Sequence, residues 1–255
     1  MATFEIKDGV AIIPEGTTRI GIMAFKDCTS LKSVEIPEGV AEIDMWAFYD
    51  CTSLESITIP ETVISIGPST FAGCTSLKSI IIPESVTMIY GLTFSGCTSL
   101  ESITIPKSVT MIGDGAFSGC TSLKSITIPD SVTEIGFSAF SGCTSLESIT
   151  IPKLVAWIGS KTFENCSALD SITIPESVTY IGSEAFLGCT SLKSIIISES
   201  VTEIHAYAFD DCSALTAIYV PAKKTDYYKE LLPEKLHGKI VELAPEKKTK
   251  TEKEC

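Results

Sequence analysis

Apolar side chains along this chain follow neither a helical 3.6-residue period nor a long strand alternation. In residues 105–127, IPKSVTMIGDGAFSGCTSLKSIT, they fall at Ile105, Val109, Ile112, Ala116, Phe117, Cys120, Leu123 and Ile126. The local periods change within this short stretch. Leu123-x-x-Ile126-x-Ile128 alternates like a short strand, and Pro129 ends it because proline has no N–H for a ladder. Residues 108–112 are rich in β-branched side chains and predict a second short strand. Between the strands, Gly113 to Gly119 reads as a turn region. Ala116 and Phe117 drop back into the core there, through a single helical turn.

The block repeats nine times at a step of 23 residues with no insertion. Phe25, Phe48, Phe71, Phe94, Phe117, Phe140, Phe163, Phe186 and Phe209 keep the step, and a cysteine follows each by three residues, from Cys28 to Cys212. A fixed period of this size predicts a solenoid, in which each coil buries its apolar face only against its neighbours. Residues 13–219 form the nine coils, starting at Ile13, Ile36, Ile59, Ile82, Ile105, Ile128, Ile151, Ile174 and Ile197. At about 4.8 Å per stacked strand the stack is roughly 40–45 Å long. Solenoid ends need caps. Residues 1–12 are expected to supply an atypical first coil, and residues 220–243 a small C-terminal α/β cap. In that cap, residues 225–232 read as a helix with Tyr228, Leu231 and Leu232 inward, and Ile240-Val241 as a last strand. The tail 244–255, APEKKTKTEKEC, is too charged to pack and is expected to be disordered.

Units such as IPDSVTEIGFSAFSGCTSLESIT (128–150) closely resemble the BspA-like, or Treponema pallidum-type, leucine-rich repeats, over roughly residues 13–219. The cysteine stands before the L-x-x-I-x-I strand rather than after it, as is normal for that subclass. The resemblance implies a right-handed, curved, mostly β leucine-rich-repeat solenoid with a parallel sheet on its concave face. It also implies a non-catalytic module for adhesion, or for binding host and matrix proteins, at the surface of a microbe.

Charge narrows the partners. The chain carries 19 Lys plus Arg against 32 Asp plus Glu, a net charge of −13, and Arg19 is its sole arginine. Residues 1–219 hold 10 basic and 25 acidic side chains, and residues 220–255 hold 9 and 7. Phosphate-tracking surfaces need clustered Lys and Arg, so neither nucleic acid nor an acidic membrane surface is an expected partner. No stretch approaches the ~20 apolar residues of a membrane span. The N-terminus, MATFEIKDGVAIIPEG, lacks the charged start, apolar core and cleavage site of a signal peptide. Sequence alone leaves a cell-surface or secreted segment and a cytoplasmic protein both open.

Catalytic and metal readings find little support. The two histidines, His205 and His237, lie in no known nucleophile or zinc context, so no enzyme activity, cofactor or metal is expected. Cysteines every 23 residues cannot supply the close local spacing of a zinc site. They predict a ladder of buried free thiols acting as small hydrophobes, with neighbours about 5 Å apart. Cys255, the tenth cysteine, stands off the ladder on the tail and is a candidate intermolecular thiol for an otherwise monomeric chain.

Three surface rows remain. Along the concave strands, Lys32, Glu55, Lys78, Glu101, Lys124 and Glu147 alternate in charge, as register-fixing neighbours would. Order breaks at Glu147 and Asp170, where two carboxylates are expected side by side. Serines (Ser56 to Ser194) and threonines (Thr58, Thr104, Thr127, Thr150, Thr173) form rows like those of some ice-binding surfaces, though Ile81 and Ile196 interrupt them. Finally, the repeats disagree at four offsets, and large side chains gather there. Met45, Trp46 and Tyr49 fall within one coil, and Trp157 and Tyr180 share an offset in consecutive coils. Such groups at turn-like positions anchor interfaces. These five residues are the candidate contacts for a protein partner, against the alternatives of a self-assembling scaffold and, less favoured, of ice binding.

Overall fold

A computed structural model describes residues 4–244. Each coil contributes two short strands. Those of the L-x-x-I wall, such as Ser102–Thr104 and Ser171–Thr173, pair in parallel with their equivalents 23 residues away, as in Ser102↔Ser79 and Ser171↔Ser194. A second wall stacks two-residue strands from Arg19–Ile20 to Glu203–Ile204, with partners such as Met111↔Glu134 and Trp157↔Tyr180. The pleat sends Ile103 and Ile112 inward and leaves Ser102 and Thr104 outward, so a strand of two or three residues suffices to seat one core side chain per wall.

Between the walls the chain forms no helical turn. Residues 113–120 run as linked tight turns in which alternate N–H groups serve different coils. Ala116, Ser118 and Cys120 donate back to Gly113, Gly115 and Phe117 at 3.0–3.2 Å. Gly115, Phe117 and Gly119 donate to Phe137, Ala139 and Ser141 of the next coil at 2.7–2.8 Å. Backbone donors buried inside a stack must find acceptors. A helical turn would point them all along its own axis, whereas this alternation closes the turn and ties it to its neighbour. Left-handed residues on either side of Phe117, Gly115 (φ 60°) and Gly119 (φ 74°), produce the alternation.

The core is a single column. Phe4 and the nine repeat phenylalanines stack with centroids 5.0–5.7 Å apart and planes within 5–16°. Each buried thiol from Cys51 to Cys212 donates to the phenylalanine carbonyl of the preceding coil at 3.0–3.2 Å, as Cys120 Sγ does to Phe94 O. The ladder is therefore more than the set of small hydrophobes expected. Its sulfurs also satisfy backbone between coils.

The ends differ from the repeats. Glu5–Lys7 and Val10–Ile12 form an antiparallel hairpin, and the second of these strands pairs in parallel with Ser33–Glu35. At the other end, Ala217–Val220 pairs with Ile240–Glu242. The helix Thr225–Leu231 lies between them in sequence. It buries Tyr228, whose hydroxyl donates to Ser198 O at 2.6 Å; Leu232 is also buried, while Leu231 is half-buried. Residues 245–255 of the tail, with Cys255, lie outside the described residues.

One junction stands apart. Among the described residues, strand pairing lapses on both walls only between coils 128–150 and 151–173: Glu134–Ile135 does not pair with Trp157–Ile158, nor Ser148–Ile149 with Ser171–Thr173. Phe140 and Phe163, which stack across it, have the widest spacing in the column at 5.7 Å.

Candidate recognition surface

The five sequence candidates fall into two patches. Met45, Trp46 and Tyr49 are half-buried in the turns of coil 36–58. Trp46 is held in the left-handed region, φ 60°, because its offset is that of Gly115. The Lys26 ammonium sits 5.3 Å from the Tyr49 ring centroid, a cation–π distance. Nearby, the Arg19 guanidinium forks onto both Asp44 oxygens at 2.6 Å. That carboxylate holds the arginine's pKa up. The cations of this patch are thus already engaged.

Trp157 and Tyr180 lie five and six coils further on, about 24 and 29 Å along the stack at the usual strand spacing. They are direct partners on the second wall. The structure brings to them Phe137, another large side chain at a variable offset, 50% exposed, whose ring stands 5.4 Å from that of Trp157 at a 44° tilt. Both rings rest on bare backbone. A Cβ at Gly159 would come within 2.7 Å of the Trp157 ring and 2.8 Å of Phe137. Phe137 belongs to one coil and Trp157 to the next, so this pair bridges the junction where both ladders lapse. Reading by offset marks Phe137 as a large side chain at a variable position but does not pair it with Trp157, since Phe137 sits ten residues into its unit and Trp157 seven. The signal was the pairing of one coil's turn with the next coil's strand.

Carboxylates bracket the patch. Along the second wall the order is Glu134, Trp157, Tyr180, Glu203, with Tyr180↔Glu203 in register. Lys161, in the coil of Trp157, pairs with Glu184 at 3.0 Å and Glu164 at 3.4 Å, and these carboxylates raise its pKa. Glu134 and Glu203 have no ion-pair partner among the described residues. His205 and Tyr207 continue the aromatic run, their rings 5.8 Å apart.

Other features offer less. A groove of about 820 Å³ is floored by Ile151, Ile174 and Ile197; of its three carboxylates, Glu199 and Glu176 are taken by Lys224 (3.1 Å) and by the Ser200 hydroxyl (3.0 Å), which leaves Asp130. In the alternating charge row, Lys193–Asp170 at 2.8 Å is the ion pair that closes among the described residues. Asp170 turns to that lysine, which relieves its expected conflict with Glu147. The threonine row is broken by Ile81, 72% exposed, and by Ile196 and Tyr219 in register, so it offers no flat hydroxyl lattice. Burial raises every ladder thiol pKa, to about 12 at Cys51 and Cys143. Among the described residues no cluster of three or more His, Cys, Asp or Glu could hold a metal, and no helix is long and apolar enough to cross a membrane.

Parallel 23-residue coils, a phenylalanine column and a variable outer surface define a leucine-rich-repeat solenoid. The BspA type leucine rich repeat region (6 copies) matches residues 10–124 and 110–232. The chain belongs to that family. Among solved structures, it is 34% identical to a leucine rich cell surface protein from Faecalibacterium prausnitzii, over 80% of this chain and 70% of that one, with a TM-score of 0.55. It is 31% identical to the T. pallidum leucine rich repeat protein, over 74% and 87% of the two chains, with a TM-score of 0.59. A leucine-rich repeat protein from Eubacterium ventriosum is 26% identical, over 84% and 66%, with a TM-score of 0.53. None of the curated proteins matches the chain significantly.

Proposed function

We propose that this protein is a recognition module for a protein partner, working in adhesion at a microbial cell surface. Leucine-rich repeat proteins are generally non-catalytic scaffolds. The observation that carries the reading is the aromatic group of half-buried Trp157 and Tyr180, in register on the second wall, with exposed Phe137 from the preceding coil's turn packed against Trp157. Aromatic anchors held by stacked strands lose little side-chain entropy on binding and bury a large area. The surface location draws support from the F. prausnitzii neighbour, described as a cell surface protein. The terminal strands present Glu5, Lys7 and Glu242 outward, and charge there opposes end-to-end pairing, which favours a recognition role over self-assembly.

The test is capture of extracellular-matrix, host-surface and intracellular proteins by the intact, reduced protein. A specific partner should be lost when Trp157→Ala and Tyr180→Ala are combined, with thermal stability retained. Retention by that double variant and loss in Trp46→Ala with Tyr49→Ala would transfer the site to the first patch. No capture at micromolar concentration, with self-association seen by light scattering, would replace recognition by assembly.

A further inference from the structure

We infer that the Phe137–Trp157–Tyr180 patch takes an arginine- or lysine-bearing segment of its partner, the cation lying over the Trp157 and Tyr180 rings between Glu134 and Glu203. The inference rests on the recognition reading and adds the chemistry of the ligand. Trp157, Tyr180 and Glu203 are paired in register, and Glu134 holds the same offset in the coil before, across the junction where the ladder lapses. Four consecutive coils thus set carboxylate, indole, phenol and carboxylate in order over about 14 Å at the usual strand spacing. Aromatic faces attract cations through their quadrupole, and indole does so best. A carboxylate at each end adds attraction that a neutral ligand would not feel.

Resident charges make the site selective rather than merely acidic. Lys161, in the same coil as Trp157, is held by Glu184 and Glu164. Glu134 and Glu203 are both exposed and have no ion-pair partner among the described residues. An incoming cation therefore meets two uncommitted carboxylates and displaces no internal ion pair. The first patch is the opposite case, since Lys26 already covers Tyr49 and Arg19 already occupies Asp44. Phe137 gives the aliphatic stem of the incoming residue an apolar surface to lie against.

The only tryptophans are Trp46 and Trp157, so the full chain carrying Trp46→Phe reports from Trp157 alone. Its fluorescence would be titrated with the peptide Ac-Gly-Arg-Gly-Arg-Gly-amide and with the same peptide carrying citrulline, which keeps the shape and loses the charge. Saturable quenching is expected with arginine and about tenfold weaker binding with citrulline. Glu134→Gln and Glu203→Gln should each weaken the arginine peptide by about threefold, and 0.5 M salt should do the same. Equal binding of both peptides, or indifference to both glutamate variants, overturns the cationic ligand. The two readings fail separately. A captured partner that depends on Trp157 but is not displaced by the arginine peptide leaves recognition standing and removes the cation; no Trp157-dependent capture removes the recognition site itself.

Discussion

Two rows of aromatic side chains run along this molecule, and they differ in what the stack does with them. The inner column, Phe25 to Phe209, is buried, nearly parallel and filled by one residue type in every coil. The outer run, Phe137, Trp157, Tyr180 and Tyr207, is half-buried to exposed, tilted and mixed in residue type. Both follow the step of the coils, although only Trp157 and Tyr180 of the outer run are strand partners. Inside, the repeat fixes identity, because a missing ring would leave a cavity against both neighbours. Outside, only the backbone position is fixed, and the side chain is free to serve a partner.

The inner column should break first in alkali. Burial lifts the thiols from an ordinary value near 9 to about 12 at Cys51 and Cys143 and about 11 at Cys212, and raises those of Cys74, Cys97, Cys120, Cys166 and Cys189 as well. An acid whose folded pKa is raised contributes full stability below its unfolded pKa. That contribution falls as pH rises from the unfolded pKa toward the folded one, because only the unfolded chain then releases the proton. Each such thiol weakens folding by about 1.4 kcal/mol per pH unit in that window, so the eight together lose on the order of 10 kcal/mol per unit. Circular dichroism under reducing conditions should show unfolding between about pH 9 and 11, with the same midpoint in Trp157→Ala. Rapid iodoacetamide labelling of the still-folded protein at pH 9 would show that the thiols ionise in place and remove the prediction.

Deleting single rings sharpens the contrast. Phe117→Ala should cost about 3–5 kcal/mol, since it opens a cavity between Phe94 and Phe140. Phe137→Ala removes a half-exposed ring beside Trp157 and should cost about 1 kcal/mol. Urea unfolding of the two variants checks this. Equal losses would mean that the outer run is part of the core.

Much of this was legible because the repeat is so regular. The 23-residue step predicts the coils, both strands and the inward set Leu123, Ile126 and Phe117, since a stack repeats whatever one coil does. Details set by hydrogen-bond geometry were not legible. The helical turn expected at Ala116-Phe117 is a run of linked turns, because buried N–H groups had to reach the next coil. The bond from Cys120 Sγ to Phe94 O, across 26 residues, has no local sequence signature. Nor did the spacing of Trp157 and Tyr180 reveal Phe137, whose contact depends on how one coil's turn lies over the next coil's strand.

The smallest effect separates the two outer patches by backbone alone. Trp46 occupies a left-handed position, whereas Trp157 sits in a strand. At φ 60° a residue with a Cβ is strained by about 1 kcal/mol, and glycine is not. In a strand the order reverses, because glycine loses more backbone entropy and has no side chain to pack. Trp46→Gly should therefore be about 1 kcal/mol more stable than Trp46→Ala, and Trp157→Gly about 0.5–1 kcal/mol less stable than Trp157→Ala. Comparing within each pair cancels the lost indole, so thermal melts of the four variants read the backbone term directly. The same preference at both sites would mean that Trp46 is not held left-handed, and that its patch owes nothing to the strained offset it shares with Gly115.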